Sequence, residues 1–381
     1  MNYCLLYAAF WIVELLLYSL GWSDINESLD DGLLFLLIIT IIISAFAGIR
    51  YRDLFRFKKL DPQKYPSQRT IPLCIVAVYF MEFVYCRQVP FISILTGRSD
   101  YTSYTGIPIV HILVVTFATY YSFRCYYLYE ATGEKNYLKQ TILIAGLHLL
   151  VYSRVSLLIL FFEIVIVKLS KEKLINIIKS GRIVVFAIVI IITLYGFGIL
   201  GNLRCGYEWN DTTVINAIGQ YNDRYPDHLS DQFKWAYTYI TSPLANLNNG
   251  IIGRKDSGDI MNYCISYVPD FLSKRLFPNY LNLIPDPRIV RDLNAVTGYY
   301  NFYYFGGFAG ALIMFIVLLG GPIFLLKYID LDEDQYYSLV LIACELAVFL
   351  FFYNVIYLSQ CSFLVVYPLV VTVLRKFNYK L

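Results

Sequence analysis

The sequence predicts an all-α polytopic membrane protein with about ten transmembrane helices. One large, partly helical extracytoplasmic loop fills 201–301, and both termini are cytoplasmic. Three observations predict this. The 381-residue chain is 58% hydrophobic and only 15% charged, with a mean hydropathy of +0.56, whereas soluble domains carry about 25% charged residues. Apolar runs long enough to cross about 30 Å of hydrocarbon recur along it. Outside the long loop, its basic residues are concentrated in alternate connections.

Eight runs are clear, at 3–21, 32–49, 70–87, 107–128, 183–200, 302–326, 336–356 and 358–374. The first lacks a basic n-region and a small-residue cleavage site, so it reads as a retained helix rather than a signal peptide. The stretch 139–168 is interrupted by Ser153-Arg154 and reads as two short helices turning at the outer face. Segments 50–69, 129–139, 168–182, 327 and 375–380 hold eighteen basic residues, against Arg87, Arg98 and Arg154 on the other side outside the long loop. The positive-inside bias makes the first set cytoplasmic. Parity then requires an even number of helices, which the split of 139–168 supplies. The chain divides into a membrane bundle over 1–200 (about seven helices), the loop 201–301, and C-terminal membrane helices over 302–381 (about three).

The loop carries nine basic and ten acidic residues, ten tyrosines and two tryptophans. Segments 231–241 and 270–282 suit short helices, one of them amphipathic and lying on the membrane. A loop this long is more often functional than a connector. The net charge of +3 suggests no nucleic acid partner. Of eight cysteines only Cys205 and Cys264 share the loop, paired or free, and no spacing suits a metal. No cofactor motif is found.

Arg154 interrupts an apolar stretch, which is costly unless it faces water, a cavity or an anion. Its planar five-donor guanidinium suits phosphate, although a snorkelling arginine at the headgroups is the plainer reading. Arg204 leaves the seventh helix at the same boundary, and Arg224, Arg254, Arg288 and Arg291 follow in the loop. As a set they suit a diphosphate. Asp223, Asp227 and Asp231 are candidate general bases, or one solvated helix face. His148 and His228 are placed to reach an outward site, and His111 reads as an interhelical hydrogen bonder. The carboxyls of Glu14, Glu82, Glu163 and Glu345 lie inside spans, where a transporter would use them and packed neutral carboxyls are the plainer state. Loop tyrosines, Trp209 and Trp235 offer rings for stacking on sugars.

Three segments together resemble the Wzy-type oligosaccharide repeat-unit polymerases of bacterial O-antigen and capsule synthesis. They are Tyr152-Ser153-Arg154-Val155-Ser156-Leu157-Leu158, Tyr239-Ile240-Thr241-Ser242-Pro243-Leu244-Ala245-Asn246-Leu247, and Leu293-Asn294-Ala295-Val296-Thr297 running on to Phe305-Gly306-Gly307-Phe308-Ala309-Gly310. Phe305 stands where that family often has an acid. The resemblance implies a multi-pass glycosyltransferase of the bacterial cytoplasmic membrane that joins two undecaprenyl diphosphate-linked oligosaccharides at its outer face. It implies Arg154, Arg204, Asp223 and His228 as catalytic. Arg224, Tyr239, Thr241, Asn246, Arg288, Arg291, Asn294, Thr297 and Tyr300 would bind substrate. A chain-length regulator is the implied protein partner. A lipid-linked oligosaccharide flippase and the O-antigen ligase are the rival readings. Flippases commonly show internal repeats, absent here, and the ligase carries a loop histidine motif that His228 alone does not make.

Overall fold

The computed structural model describes residues 2–57, 59–96, 104–171, 182–252 and 257–377. It is all-α, and among the described residues extended pairing is limited to one isolated bridge, Ser23 to Tyr221. Ten helices coincide with the ten runs read from the sequence: α1 (Tyr3–Ser19), α2 (Asp31–Arg50), α3 (Thr70–Cys86), α5 (Val110–Thr132), α6 (Lys135–Leu150), α7 (Arg154–Lys171), α8 (Arg182–Arg204), α13 (Tyr299–Tyr328), α14 (Glu333–Phe349) and α15 (Ser359–Lys376). Between them lie α4 (Pro90–Leu95), α9 (Thr213–Gly219), α10 (Gln232–Ile251), α11 (Ile260–Ile265) and α12 (Asp270–Leu276). Two helices, α2 and α13, are long and apolar enough to cross a membrane, and α1 and α3 are shorter apolar helices.

The stretch 139–168 is split as expected. Tyr152 turns the chain with φ 61°, and α7 returns to bring Lys171 Nζ within 2.5 Å of Glu130 at the end of α5. The run expected over 336–356 is shorter, because α14 stops at Phe349 and the chain turns before α15.

Long-range hydrogen bonds define two ends of the bundle. At one, the Tyr137 hydroxyl donates to Tyr65 O (2.8 Å), the Tyr336 hydroxyl to Leu54 O (2.9 Å) and Gln140 Nε2 to Gln68 O (2.7 Å). These are the basic loops, so this is the basic end. There the buried Asp334 takes Arg124 Nε at 2.6 Å and Arg375 Nη1 at 2.7 Å, tying α5, α14 and α15 together. The far end gathers residues 21–30, most of 205–300 and the turn after α14.

The polarity of the bundle runs from inside to outside. The interior helix α5 buries Thr116, Thr119, Ser122 and Arg124 among tyrosines, and α14 buries Asp334, Gln335, Ser338 and Glu345. The perimeter shows Ile42 and Phe46 of α2, Leu73 and Phe80 of α3, and Ile190 and Ile192 of α8 to the outside. Exposed apolar faces of this kind mark surfaces for protein or membrane contact.

The helix α10 is the main departure from the sequence reading. A short helix was expected over 231–241, with Pro243 as punctuation. Instead Pro243 sits inside a 20-residue helix, at the loss of one i to i−4 hydrogen bond. Tertiary packing outweighs that loss. The N-terminal half lies on the end of α8, where a Cβ at Gly198 would stand 2.0 Å from Gln232 O, and Trp235 Nε1 donates to Asn202 Oδ1 at 2.6 Å. Its middle meets Trp22 and its end meets Tyr300, Pro287 and residues 28–30. All of these belong to the far end, so α10 lies across that end as a beam.

Candidate functional site at the far end of the bundle

The backbone of 21–26 pairs with that of 219–224. Asp24 N donates to Gln220 O at 2.9 Å, Asn222 N donates to Trp22 O at 3.2 Å, and the Ser23 hydroxyl donates to Gly219 O. The bridge opens a polar cleft of about 370 Å³ lined by Gly21, Ser23, Asp24, Asn26, Asn222, Asp223 and Arg224. Its floor is rigid: the Trp22 ring sits 5.0 Å from Tyr237 and 5.3 Å from Tyr225. Lys234 Nζ lies 5.1 and 4.8 Å from the Tyr221 and Tyr225 ring centres and 2.8 Å from Asp231. Burial pushes the Tyr221 and Tyr225 hydroxyls well above their usual range, so both remain neutral donors.

A second polar station is held at the other end of α10 by two amides, Asn246 and Asn249. Asn246 Nδ2 donates to Leu293 O (2.8 Å) and Ala295 O (2.9 Å), while its Oδ1 accepts from Ile289 N (3.0 Å). Asn249 Nδ2 donates to Pro287 O at 2.8 Å. Asn248 faces the first station, donating to Ser28 O (3.0 Å) and accepting from Asp30 N (2.9 Å). The strap 285–297 thus displays Arg291 and Asn294 to the outside. Arg288 is paired with Asp286, Nη2 to Oδ2 at 2.5 Å. Hydrogen bonding from that guanidinium holds the Asp286 carboxyl below its ordinary value and raises the arginine in return. Nine residues of helix separate Tyr237, which supports the cleft, from Asn246, which supports the strap, a span of about 14 Å.

The structure sorts the residues expected from the sequence. Asp223 and Arg224 share the cleft with Asp24 and Asn26, and His228 is exposed on the turn beyond. Asn246 and Tyr300 spend their polar atoms inside the chain, the Tyr300 hydroxyl donating to Pro285 O at 2.8 Å. Thr241 is buried and donates to Tyr237 O at 3.0 Å. Tyr239 packs its ring on Phe197 and Trp235. Thr297 is 2% exposed, and its Oγ1 is buried with no hydrogen-bond partner. Arg154 and Arg204 begin α7 and end α8, both at the far end, and their side chains lie outside the described residues, as does Arg254.

Three expectations, on His148, Trp235 and the Asp223–Asp231 segment, are corrected. His148 does not reach an outward site, because it is fully buried between Thr119 (3.2 Å) and Tyr79 (3.4 Å). Trp235 is no exposed stacking platform, being 1% exposed against α8, whereas Trp209 is 52% exposed. Glu82, one of the carboxyls inside the apolar runs, accepts from His111 Nδ1 at 2.9 Å. Asp223, Asp227 and Asp231 form no helix face, since that segment is a series of turns. Cys205 and Cys264 are both free thiols. Among the described residues no cluster of three or more metal-binding side chains occurs.

Asp24 and Asn26 were not singled out in the sequence, because the α1–α2 connection reads as a short connector. Only its Asp- and Asn-rich composition signals a role.

The chain matches no protein-family model, and no curated protein or solved structure is similar to it at a significant level.

Proposed function

We propose that this chain is a multi-pass enzyme of the bacterial cytoplasmic membrane that polymerises oligosaccharide repeat units carried on undecaprenyl diphosphate. All ten helices named above would span the bilayer, with the basic end in the cytoplasm and the far end outside. The apolar perimeter and the separation of basic loops from the far end support this orientation.

The observation that carries the reading is α10. One helix supports two polar stations from positions about 14 Å apart along its axis, which suits a reaction between two large lipid-linked saccharides. In the proposed step the acceptor's terminal hydroxyl attacks the anomeric carbon of the donor. The carbon–oxygen bond to the diphosphate breaks, and the hydroxyl proton passes to Asp223. Arg154 and Arg204 stabilise the charge left on undecaprenyl diphosphate, and donors fixed on developing charge are commonly the largest catalytic contribution. Arg224, Arg291 and Asn294 hold sugar.

Complementation of a polymerase-null strain tests the proposal. Arg154→Ala, Arg204→Ala and Asp223→Asn, inserted at normal levels, should abolish the ladder of long-chain polysaccharide. A full ladder from any of them removes that residue's role, and a full ladder from all three removes the proposal. The flippase reading draws on Glu14, Glu163 and Glu345, which are buried within the bundle, the carboxyl oxygens of Glu14 and Glu163 having no hydrogen-bond partner among the described residues. Transbilayer movement of lipid-linked repeat in proteoliposomes without chain extension would favour it.

A further inference from the structure

The segment 257–284 is a polar-composition loop with an apolar outer face. Ile260 and Met261 of α11 are 77% and 60% exposed, Leu272 and Leu276 of α12 are 40% and 65% exposed, and Leu281 and Leu283 beyond are 47% and 49% exposed. These side chains are not loose. Asp270 N donates to Tyr357 O at 2.6 Å, Phe271 N donates to Ser359 Oγ at 2.9 Å, and Ser359 N donates to Asp270 Oδ1 at 3.0 Å, fixing α12 against the start of α15. The Tyr263 hydroxyl donates to Gly310 O at 2.9 Å, fixing α11 against α13. The anchoring hydrogen bonds of both helices point inward, and these aliphatic side chains are left facing out.

Two further features identify what covers this face. Lys274 and Arg275 stand among the exposed leucines, Lys274 with 57% of its side chain exposed and Arg275 stacked over Phe271 at 4.3 Å. The face is also continuous with the apolar perimeter: Phe271 meets Phe363 of α15 at 5.7 Å, and α13 below carries Ile313 and Ile316 half exposed. Aliphatic side chains interspersed with cations, joined to an apolar belt, match the boundary between acyl chains and anionic headgroups.

We infer that 257–284 is an interfacial foot, its leucines seated in the outer leaflet and Lys274 and Arg275 among anionic phospholipid headgroups. This rests on the membrane reading above. The foot fixes the height of the strap 285–297, which follows it directly, above the lipid surface. A substrate diphosphate held at the headgroups then meets the strap without leaving the bilayer.

The test uses the full-length protein with Cys74, Cys86, Cys205 and Cys264 replaced by serine. Nitroxides are placed singly through Leu276→Cys, Leu281→Cys, Ile42→Cys and Asp227→Cys, with reconstitution in phosphatidylcholine vesicles with and without phosphatidylglycerol. The labels at 276 and 281 should collide with oxygen several-fold more, relative to an aqueous nickel chelate, than the label at 227. Lys274→Gln with Arg275→Gln should bring the 276 label outward in the phosphatidylglycerol vesicles. If 276 and 281 behave as 227 does while 42 is shielded from nickel, the foot is overturned and the membrane reading stands. If 42 is also open to nickel, the membrane reading itself fails. Shielding of 276 from both reagents would show a protein partner on this face and would equally overturn the lipid assignment.

Discussion

Replacing Asn246 with alanine separates structural support from substrate contact within one motif. Its amide makes three hydrogen bonds, at 2.8, 2.9 and 3.0 Å, all to the backbone of the strap. At about 1 kcal/mol per bond, their loss should cost about 3 kcal/mol. With roughly 2 °C per kcal/mol at the lower end of the scaling, the unfolding midpoint of the detergent-solubilised protein should fall by about 6 °C. Asn246→Asp keeps the acceptor for Ile289 N but sets a buried carboxylate against the Leu293 and Ala295 carbonyls, so it should fall at least as far. Asn294, exposed on the strap, serves as the matched control. Asn294→Ala should leave the midpoint within about 1 °C, the scale of an ordinary surface substitution, and depress chain extension. Thermal unfolding followed by a thiol-reactive dye reads the first quantity, and complementation reads the second. Should Asn246→Ala unfold at the wild-type temperature, α10 does not hold the strap, and the account of two stations on one beam fails.

Gly198→Ala should pry α8 from α10, since its Cβ would stand 2.0 Å from Gln232 O, whereas Gly196→Ala meets nothing within 4 Å. Overpacking of this sort costs roughly 1–3 kcal/mol, so the first should lower the unfolding midpoint and the second leave it unchanged or raised. Asp334→Ala removes the carboxylate facing Arg124 and should cost roughly 3–5 kcal/mol, with sharply reduced yield of folded protein. Arg124→Met leaves Asp334 with Arg375 and should cost less. Asp270 is half-buried, which alone would raise its pKa, but Lys274 and Ser359 outweigh this and lower it. Its contribution is therefore present above the unfolded value, about 3.9, and is lost as pH falls below it. Protection factors for hydrogen exchange over 270–277, corrected for the pH dependence of the intrinsic rate, should fall on acidification in that window, and Asp270→Asn should show the loosened state at neutral pH.

The helices were legible because length and apolarity encode them locally. The turn at 151–153 was legible for the same reason, Ser153-Arg154 breaking an otherwise continuous run. The beam was not. Its composition is polar, and Pro243 reads as a stop, yet Thr238, Thr241, Ala245 and Asn248 recur three and four residues apart, which is the periodicity of a helix face. What hides it is that its partners lie far off in sequence: Asn248 pairs with residues more than two hundred positions away. The same holds for Arg124 and Asp334, and for the cleft, where Asp24 comes beside Asp223 only through the Ser23–Tyr221 bridge. Sequence reasoning favoured arginines and tyrosines as binders because of their chemistry. The structure assigns many of those tyrosines to packing, since a bundle with an aliphatic perimeter and a polar interior needs large rings that also satisfy polar neighbours.

The arrangement of α10 bears on how an enzyme could join two substrates at this end. Loops hold groups loosely, and a displacement of about 1 Å at a reacting centre can cost on the order of a hundredfold in rate. Here the spacing between stations is set by helix geometry rather than by loops. Trp235 and Lys234 fasten the N-terminal half, to Asn202 at 2.6 Å and Asn216 at 2.9 Å. Asn246 and Asn249 fasten the other half to the strap, and Asn248 fastens it to residues 28–30. Each of these side chains satisfies backbone or amide groups that would otherwise be orphaned, so movement of α10 requires breaking several buried bonds together. The cleft and the strap are therefore held to one frame, and under the proposed function any adjustment to the growing saccharide would fall to the substrate.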